Sequence, residues 1–327
     1  MKVLIAGGAG YIGAVSAALF WERGHLVTIL DNLSTGHAHN LNSDIELIEA
    51  NITDNEAIES ALKGSNFDIV LNFAAKIRVD ESLAKPKDYL HNNTFGVNNL
   101  VDACIAQGIK HFILSSTAAV YGEPVSDLVK EHDELRPENP YGMSKLLAEK
   151  ILHSYETTHG LNWLAFRYFN AGGAYKRIGP EYPFIAQLIP TAIHALLSQK
   201  TFTINGNDYP TSDGTCVRDF VHVLDIARAH VDAAEQMIEG TRFNMPINLG
   251  SASGYSIKQV IETLEDISGQ SLNVESGPRR DGDKARVIAD NSLAREKLGW
   301  SPTYDLDSII RDAWEWQSKY YQPESMN

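Results

Sequence analysis

Cysteine and long apolar runs are both scarce in this chain of 327 residues. Cys104 and Cys216 are the only cysteines, and two cysteines in a chain of this length do not make a disulfide framework. We expect both thiols to be reduced and structural. No apolar stretch approaches the roughly 20 residues that a membrane span needs, and the sequence lacks the pattern of a signal peptide. These absences predict a cytoplasmic protein without a membrane segment.

Positive charge is scarce as well. Lys and Arg number 28 against 42 Asp and Glu, which gives a formal net charge of −14. Nucleic-acid-binding proteins usually carry a basic field, so we expect no nucleic-acid partner. His37 and His39 have the spacing of metal ligands, but no further Cys or His clusters with them in the sequence, and no metal is predicted.

Short β-rich runs alternate with helical patterns over the first half of the chain. The runs typical of strands lie at 3–6, 26–30, 45–48, 69–73, 112–115 and 164–168, and those typical of helices at 11–23, 56–62, 86–107 and 141–159. This alternation predicts an α/β fold with a doubly wound parallel sheet. It stops near residue 170, which predicts a first domain over 1–169 and a smaller α/β domain over 170–327, with segments that can interleave.

A glycine-rich loop follows the first predicted strand. Gly7, Gly10 and Gly13 have the spacing of a dinucleotide-binding loop, and the set that begins at Gly8 fits equally well. Glycines permit the tight turn and let backbone N–H groups approach a pyrophosphate at the positive end of the following helix. A lone glycine pattern is weak evidence, but here a predicted strand precedes it and a predicted helix follows. The loop therefore predicts a dinucleotide site.

Asp31 ends the second predicted strand, 18 residues after Gly13. An acidic side chain there accepts hydrogen bonds from the adenosine ribose hydroxyls and repels a 2′-phosphate. No Arg occurs at 32–36. These features favour NAD over NADP.

A tyrosine and a lysine lie four residues apart on a predicted helix. Tyr141 and Lys145 therefore project from one helical face, and Thr117 closes a strand-ending hydroxyl run that starts at Ser115. A phenol with a pKa of about 10 is a poor base at neutral pH, but a neighbouring ammonium and a cationic nicotinamide stabilise its phenolate. Together with the glycine loop, this set predicts hydride chemistry, with Thr117, Tyr141 and Lys145 as catalytic residues.

The chain resembles the extended short-chain dehydrogenase/reductase family over essentially its whole length. Within that family it is most similar to the UDP-glucose 4-epimerases. Besides the glycine loop and the Tyr141–Lys145 pair, the runs that carry the resemblance are 31–34, 72–75, 120–122, 167–170, 206–211, 213–219 and 278–283. The resemblance implies that 1–169 is the NAD-binding domain and 170–327 the UDP-sugar domain. It also implies a homodimer that pairs the predicted helices 86–107 and 141–159, whereas the sequence alone equally allows each apolar face to pack internally.

The resemblance further implies two sets of ligand contacts. The implied cofactor contacts are Gly7, Gly10, Tyr11, Ile12, Gly13, Asp31, Asn32, Leu33, Ser34, Thr35, Gly36, Asn51, Ile52, Phe73, Ala74, Ala75, Asn93, Ser115, Tyr141, Lys145 and Phe169. The implied UDP-sugar contacts are Thr117, Tyr141, Asn170, Gln187, Leu188, Thr203, Asn205, Arg218, Arg280 and Asp283. Arg218 and Arg280 suit the role physically, because a guanidinium fork matches a diphosphate.

Four positions leave the nucleotide contacts and the preferred sugar open. Asn51 stands where the family usually has Asp, Gln187 where an Asn often contacts UDP, and Asn205 where an aromatic side chain often meets uracil. Val287 falls at a position that varies between Tyr and small residues in related enzymes, and a small residue leaves room for an N-acetyl group. The substrate therefore stays open among UDP-linked glucose and galactose, N-acetylhexosamines, pentoses and uronates.

The residues after Thr117 favour one reaction. Related dehydratases and decarboxylases have acidic residues there, whereas this chain has Ala118 and Ala119, which cannot move a proton. We therefore expect oxidation at C4 of the sugar to be followed by return of the hydride, which interconverts UDP-glucose and UDP-galactose. Two rival functions stay open: an oxidoreductase that releases NADH, and a non-enzymatic protein that binds NAD or a UDP-sugar. The intact set of Thr117, Tyr141 and Lys145 argues against the second.

Overall fold

The computed structural model describes residues 1–124, 126, 128–181, 187–279 and 284–320. Contacts between residues divide them into two units. The first unit contains 1–123, 133–168 and 227–248, and the second contains 124–132, 169–226 and the residues from 249 onward. The assignment of 1–169 to the cofactor and 170–327 to the sugar nucleotide stays a prediction.

Strands and helices alternate along the chain. The strands are β1 (Lys2–Ala6), β2 (Leu26–Asp31), β3 (Glu46–Glu49), β4 (Ile69–Asn72), β5 (His111–Thr117), β6 (Leu128–Val129), β7 (Asn162–Tyr168), β8 (Asn170–Gly172), β9 (Phe202–Asn205), β10 (Val217–His222), β11 (Met245–Leu249), β12 (Gly254–Ser256), β13 (Val274–Gly277) and β14 (Arg286–Ala289). The helices are α1 (Tyr11–Glu22), α2 (Asn55–Leu62), α3 (Val79–Ala84), α4 (Pro86–Tyr89), α5 (Gly96–Ala106), α6 (Pro140–His159), α7 (Leu188–Leu197), α8 (Val223–Ile238), α9 (Ile257–Ser268), α10 (Ser292–Leu298) and α11 (Leu306–Tyr320).

The first unit is built on a seven-stranded sheet in the order β11-β7-β5-β4-β1-β2-β3. The pairings from β7 through to β3 are parallel. Strands β1, β4 and β7 are buried along almost their whole length, as expected of parallel strands covered by helices on both faces. The predicted α/β fold with a doubly wound parallel sheet is confirmed. All the predicted strands of the first half are present, with ends that differ by at most two residues.

The predicted helix over 86–107 is not one continuous α-helix. It consists of α4, a π-helical segment at Leu90–Phe95, and α5. The π segment contains Asn93, which is buried. A π-bulge inserts an extra residue into a helix and is frequent at functional sites. The apolar periodicity does not reveal it, because the pattern continues on either side of the bulge.

The second unit contains a sheet in the order β12-β10-β14-β6, with β8 also paired to β10. Strand β9 pairs separately with β13. Helices α7, α9 and α11 enclose an apolar core with Phe202, Ile204 and Phe220. The mixed sheet explains why the regular alternation of strand and helix is lost after residue 170.

Both cysteines are buried and free, as the sequence predicts. Among the described residues, the structure contains no helix that is both long and apolar enough to cross a membrane.

Candidate active site

The glycine loop between β1 and α1 depends on glycine for two close backbone approaches. Gly7 has a φ of +74°, and a Cβ there would lie 2.3 Å from the amide nitrogen of Ala74. A Cβ on Gly13 would lie 2.3 Å from the carbonyl oxygen of Gly7. Neither neighbour can move aside, because both are backbone atoms. These two glycines therefore fix the path of the loop.

Gly10 differs from those two glycines. Its φ is −78°, which any residue adopts, and a Cβ there would meet nothing closer than the Gly7 carbonyl at 3.5 Å. The protein itself therefore does not require glycine at this position. Gly10 is also the N-cap of α1 and provides no side-chain cap, so the first amides of the helix lack the acceptor that a Ser or Asp would supply. This bare helix end fits the pyrophosphate of a dinucleotide.

Asp31 at the end of β2 is 7 % exposed and holds two backbone amides. Its carboxylate accepts from the amide of Ala9 at 2.9 Å and from that of Leu33 at 2.9 Å. The segment that follows is folded tightly on the same loop, since a Cβ on Gly36 would lie 2.8 Å from the Ala9 backbone. Asn32 accepts from both the amide and the hydroxyl of Ser34. Asp31 is thus fixed beside the glycine loop.

The segment after β4 lies against the same loop. Phe73 and Ala74 donate backbone hydrogen bonds to the Ala6 carbonyl at 2.7 and 3.1 Å. Asn93 in the π segment holds the continuation of this segment, because it accepts from the Lys76 amide at 2.8 Å and donates to the Lys76 carbonyl at 2.9 Å and to the Ser144 hydroxyl at 3.0 Å. The π segment therefore connects the 73–76 backbone with helix α6.

Two further implied cofactor contacts lie in the turn before α2. The Asn51 side-chain oxygen accepts from the Thr53 amide at 3.1 Å. Ile52 is buried, and its carbonyl accepts from Asn99. Both positions belong to the first unit, as do the glycine loop and Asp31.

Helix α6 presents the predicted catalytic pair. Asn139 caps its N-terminus by accepting from the Gly142 amide at 2.8 Å, and Pro140 occupies the first turn. Gly142 allows a close approach, because a Cβ there would lie 2.5 Å from the Ala119 carbonyl. The start of α6 is thereby fixed against the 3-10 turn Ala118–Val120 that follows β5.

The structure brings the three predicted catalytic residues together. The Tyr141 phenol is hydrogen-bonded to the Thr117 side chain. Lys145 is 2 % exposed, and its Nζ donates to the Ser115 carbonyl at 2.7 Å. A tyrosine, a lysine and a hydroxyl therefore converge at the carboxyl end of β5, the edge at which parallel α/β sheets bind their ligands.

Burial changes the ionisation of this pair. It raises the pKa of Tyr141, and the hydrogen bond with Thr117 acts in the opposite direction. It lowers the pKa of Lys145 to about 7, and the charge of the Glu149 carboxylate acts against that fall. In the chain alone, the phenol therefore keeps its proton at neutral pH, while the lysine is balanced between its charged and neutral forms.

Sequence reasoning missed the residues that surround this pair. Glu149, one turn after Lys145, forms a buried ion pair with Arg167 at 2.7 Å. Tyr168 is hydrogen-bonded to the Ser115 side chain, and its hydroxyl oxygen lies 2.6 Å from Nε2 of His230. The four-residue spacing of Glu149 from Lys145 indicates that both lie on one face of the helix. Its partner Arg167 on β7 is identified only by the three-dimensional structure.

In the second unit, β10 and its neighbours hold three of the positions discussed above. Arg218 on β10 donates to the Lys284 carbonyl at 2.7 Å. Val287 lies beside it in register on β14. Asn170 on β8 donates to the Asp219 carbonyl at 2.7 Å. Arg218 and Val287 are thus direct neighbours in the sheet.

The remaining implied UDP-sugar contacts among the described residues lie at the start of α7 and on β9, and the implied cofactor contact Phe169 lies just before β8. Gln187 is the N-cap residue of α7 and Leu188 its first residue; the buried Gln187 Oε1 has no hydrogen-bond partner among the described residues. Thr203 and Asn205 share one face of β9 because side chains alternate along a strand. Phe169 is buried and donates its amide to the Leu249 carbonyl.

Arg280 and Asp283 lie outside the described residues. Their neighbour Arg279 is described, and its guanidinium stacks 4.2 Å from the Tyr209 ring centroid. It also pairs with the Asp208 carboxylate at 2.7 Å. Arg279 thus connects the end of β13 with the 206–211 turn.

A parallel doubly wound sheet, a glycine loop at its first crossover and a Tyr–Lys helix beside a strand-end hydroxyl define a Rossmann-type unit of the short-chain dehydrogenase/reductase class. The family model described as GDP-mannose 4,6 dehydratase matches residues 4–313. UDP-glucose 4-epimerase of Corynebacterium glutamicum is 42 % identical over 97 % of this chain and 96 % of the relative. The chain belongs to the UDP-glucose 4-epimerase family within the extended short-chain dehydrogenases/reductases.

Solved structures agree with this placement. UDP-glucose 4-epimerase from Brucella ovis, in complex with NAD, superposes with a TM-score of 0.93 at 38 % identity and covers 96 % of this chain and 97 % of its own. The UDP-Glc/GlcNAc 4-epimerase from Campylobacter jejuni superposes with a TM-score of 0.87 at 37 % identity, over 97 % and 99 % of the two chains. At these identities the likeness extends beyond the fold alone.

Proposed function

We propose that this chain is an NAD-dependent UDP-sugar 4-epimerase that interconverts UDP-glucose and UDP-galactose. The observation that carries the proposal is the Tyr141 phenol, hydrogen-bonded to Thr117 and one helical turn from the buried Lys145. This set stands at the carboxyl edge of a sheet whose glycine loop fits a dinucleotide. The Corynebacterium and Brucella relatives bear the name of this activity.

The cofactor that we propose is NAD. The uncapped helix end at Gly10 accommodates an anion, and the fixed carboxylate of Asp31 suits ribose hydroxyls and repels a 2′-phosphate. Among the other contacts proposed from the sequence, Asn93 and the 73–75 backbone lie against the same loop and helix. When bound, NAD supplies a hydride acceptor and donor for the carbon that carries the reacting hydroxyl.

The proposed work of the chain itself is proton transfer. Tyr141 takes the proton from the O4 hydroxyl and later returns it, so one residue serves both directions. Thr117 hydrogen-bonds the same oxygen and steadies the charge that develops there. Lys145 adds positive charge next to the phenol when it is protonated. Because burial raises the pKa of Tyr141, the phenolate forms readily only when such positive charge is close.

The residues beside Thr117 support epimerisation over elimination. Ala118 and Ala119 form the 3-10 turn directly after the strand, and their methyl groups can neither give nor take a proton. Removal of water from the sugar would need an acid and a base at the neighbouring carbons. This chain therefore has alanines where its dehydratase relatives have acidic residues, although it matches a family model named for a dehydratase.

The contacts to the sugar nucleotide that we propose come from the second unit. Arg218 is a cation suited to the diphosphate. The buried Oε1 of Gln187, which has no hydrogen-bond partner within the described part of the chain, is suited to a donor on the nucleotide. The other positions proposed from the sequence are Phe169 for the cofactor and Asn170, Leu188, Thr203, Asn205, Arg280 and Asp283 for the substrate.

A second substrate class is favoured by Val287. This half-buried residue lies in register with Arg218, and its side chain is far smaller than a tyrosine. UDP-linked N-acetylhexosamines are therefore the alternative substrates, and the Campylobacter relative bears both sugars in its name.

Turnover without added cofactor tests the proposal. We expect purified protein to convert UDP-galactose into UDP-glucose with no NAD added, because the reaction has no net redox change and tightly held NAD suffices. Chromatography of the products, run in parallel on UDP-N-acetylglucosamine, UDP-xylose and UDP-glucuronate, measures both the reaction and the preferred sugar. Failure to convert any UDP-sugar with NAD supplied would contradict the proposal. Free NADH that accumulates with a keto sugar would identify an oxidoreductase instead.

We also propose a homodimer. Seven of the 14 exposed large apolar side chains of the described residues fall at 77–95 and 143–147: Ile77, Val79, Leu83, Leu90, Phe95, Met143 and Leu147. Helix α6 packs against both α3 and the π segment, so six of these residues lie on neighbouring helical segments and Ile77 lies two residues before α3. An apolar patch of this kind marks an interaction surface, and a second copy of the same helices would complete it.

Replacing Phe95, which is 51 % exposed, with Glu is expected to shift the protein from dimer to monomer at micromolar concentration. A buried unpaired charge at the centre of an interface costs several kcal/mol. Light scattering coupled to size exclusion measures the mass. Leu26→Glu is the matched control, because Leu26 is 68 % exposed at the start of β2 and should leave the mass unchanged. A monomeric wild type, or a dimer that survives Phe95→Glu, would contradict this surface.

A cytoplasmic location is the last part of the proposal. Both cysteines are free and buried, as in proteins of reducing compartments. Localisation of a tagged chain by cell fractionation tests it.

A further inference from the structure

Glu149 connects three elements that carry the catalytic residues. It projects from α6 one turn after Lys145, and the two side chains share a helical face. Its carboxylate accepts from the Ser116 hydroxyl on β5 at 2.5 Å. It also accepts from Nε and Nη2 of Arg167 on β7 at 3.0 and 2.7 Å. All three residues are at most 4 % exposed.

The register of the sheet places Ser116 where its contact with Glu149 can orient the end of β5. Ser116 lies directly opposite Arg167 across the β5–β7 ladder, so the two residues face α6 together. Side chains alternate along a strand, and Ser116 lies between Ser115 and Thr117. The Ser115 carbonyl accepts a hydrogen bond from Lys145, and the Thr117 side chain is hydrogen-bonded to Tyr141. Holding Ser116 against α6 therefore sets both neighbours.

Arg167 extends the same network. Its Nη1 donates to the Tyr121 hydroxyl at 2.9 Å, and its guanidinium lies 4.9 Å from the centroid of that ring. The Tyr121 hydroxyl donates in turn to Asn248 on β11 at 2.6 Å. Every group in this chain of contacts is therefore partnered, as a buried ion pair requires.

We propose that Glu149 is a positioning residue for the epimerase reaction: it orients the Ser115–Thr117 strand end against α6 and holds positive charge on Lys145. Arg167 balances the carboxylate and sets how strongly that charge acts. This inference rests on the proposed function for its kinetic consequence only. Its electrostatic part concerns the chain without substrate.

Other ionisable groups near α6 do not take this role. Besides Arg167, on the elements packed against α6 and at their ends they are Arg78, Asp80, Glu81, Lys85, Lys87, Asp88, Tyr89, His91, Asp102, Cys104, Lys110, His111, Tyr121 and Tyr168. Glu81 is paired with Lys85 and bonded by Tyr89, and Asp102 is bonded by Tyr155. Within the described part of the chain, Glu149 is the carboxylate whose charge raises the pKa of Lys145.

Two variants of opposite charge test the inference. Glu149→Gln keeps the shape and removes a negative charge, which lowers the pKa of every nearby group. Arg167→Gln removes a positive charge and therefore raises the pKa of nearby groups. Charges one helical turn apart interact by about one to two pH units at an effective dielectric constant of about 20. We expect the Lys145 titration midpoint and the pH profile of kcat to move down by about that amount in Glu149→Gln and up in Arg167→Gln.

The lysine is read directly by nuclear magnetic resonance. Lysines are labelled with ¹³C at Cε, and the resonance lost in Lys145→Met identifies Lys145. This titration needs no turnover, so it decides the inference even if the wild type epimerises no UDP-sugar. Shifts of opposite sign in the two variants support the proposal. Midpoints that stay within about 0.3 pH unit of the wild type while thermal stability falls would overturn it.

Asp225→Asn is the matched control. Asp225 is fully buried, and its carboxylate accepts from the amide and hydroxyl of Thr303 and the amide of Tyr304. We expect this variant to lose stability and leave the Lys145 midpoint unchanged. Ser116→Ala decides the matter if neither charge variant folds, since it removes one hydroxyl and no charge. It should lower kcat about tenfold at unchanged KM, as the loss of one charge-assisted hydrogen bond predicts, and an unchanged kcat would overturn the proposal.

Discussion

Tyr141→Phe is expected to lower kcat by about 10²- to 10⁴-fold, the usual contribution of a positioned acid–base group. The variant loses the hydroxyl that bonds Thr117 and nothing else, so the ring still fills its place. KM for the UDP-sugar and the NAD content of the purified protein should change by less than about threefold, because the phenol acts on the reacting proton and contributes little to binding. Steady-state kinetics with UDP-galactose, together with the absorbance of released NAD, measure both quantities.

Tyr89→Phe is the control for this experiment. Tyr89 is completely buried, its ring centroid lies 6.5 Å from that of Tyr141, and its hydroxyl donates to Glu81 at 3.1 Å. This variant removes a phenol from the same helical neighbourhood without touching the proposed proton path. Its kcat should stay within about threefold of the wild type. A kcat for Tyr141→Phe that equals that of Tyr89→Phe would exclude Tyr141 as the base.

The parts of the site that the sequence predicts well are local. The glycine loop, Asp31 at a strand end and the four-residue spacing of Tyr141 and Lys145 each depend on a few neighbouring residues. Backbone rules alone place such residues at the end of a strand or on one face of a helix. The parallel sheet follows for the same reason, since its buried strands are short continuous apolar runs.

The parts that the sequence does not predict depend on distant pairs. The Glu149–Arg167 ion pair joins residues 18 apart, and Tyr121 bonds Asn248 across 127 residues. Single-sequence patterns do not encode such partners. The sequence allows the two units to interleave but does not show where: 227–248 belongs to the first unit, although 169–226 before it belongs to the second. The π segment at Leu90–Phe95 is missed because its apolar pattern is that of an ordinary helix.

Gly10 and Gly13 should separate cofactor binding from folding. Gly13→Ala places a Cβ 2.3 Å from the Gly7 carbonyl, and backbone must move to relieve it. We expect a loss of about 1–3 kcal/mol in the free energy of unfolding, together with loss of NAD. Denaturant unfolding and the NAD content of the purified protein are the two measurements.

Gly10→Ala meets no such obstacle, because its Cβ would lie 3.5 Å from the nearest atom of the loop. Its stability without NAD should stay within about 0.5 kcal/mol of the wild type, as for substitutions that create no overlap. Its affinity for NAD should nevertheless fall at least about tenfold, or 1.4 kcal/mol, since the added methyl occupies the space at the start of α1 that a pyrophosphate needs. Neither φ nor packing at Gly10 excludes a Cβ, so a loss of NAD affinity in Gly10→Ala would point to the ligand. If Gly10→Ala retained full NAD affinity, the bare helix end would not be the pyrophosphate site, and the cofactor assignment would rest on Asp31 and on the relative solved in complex with NAD.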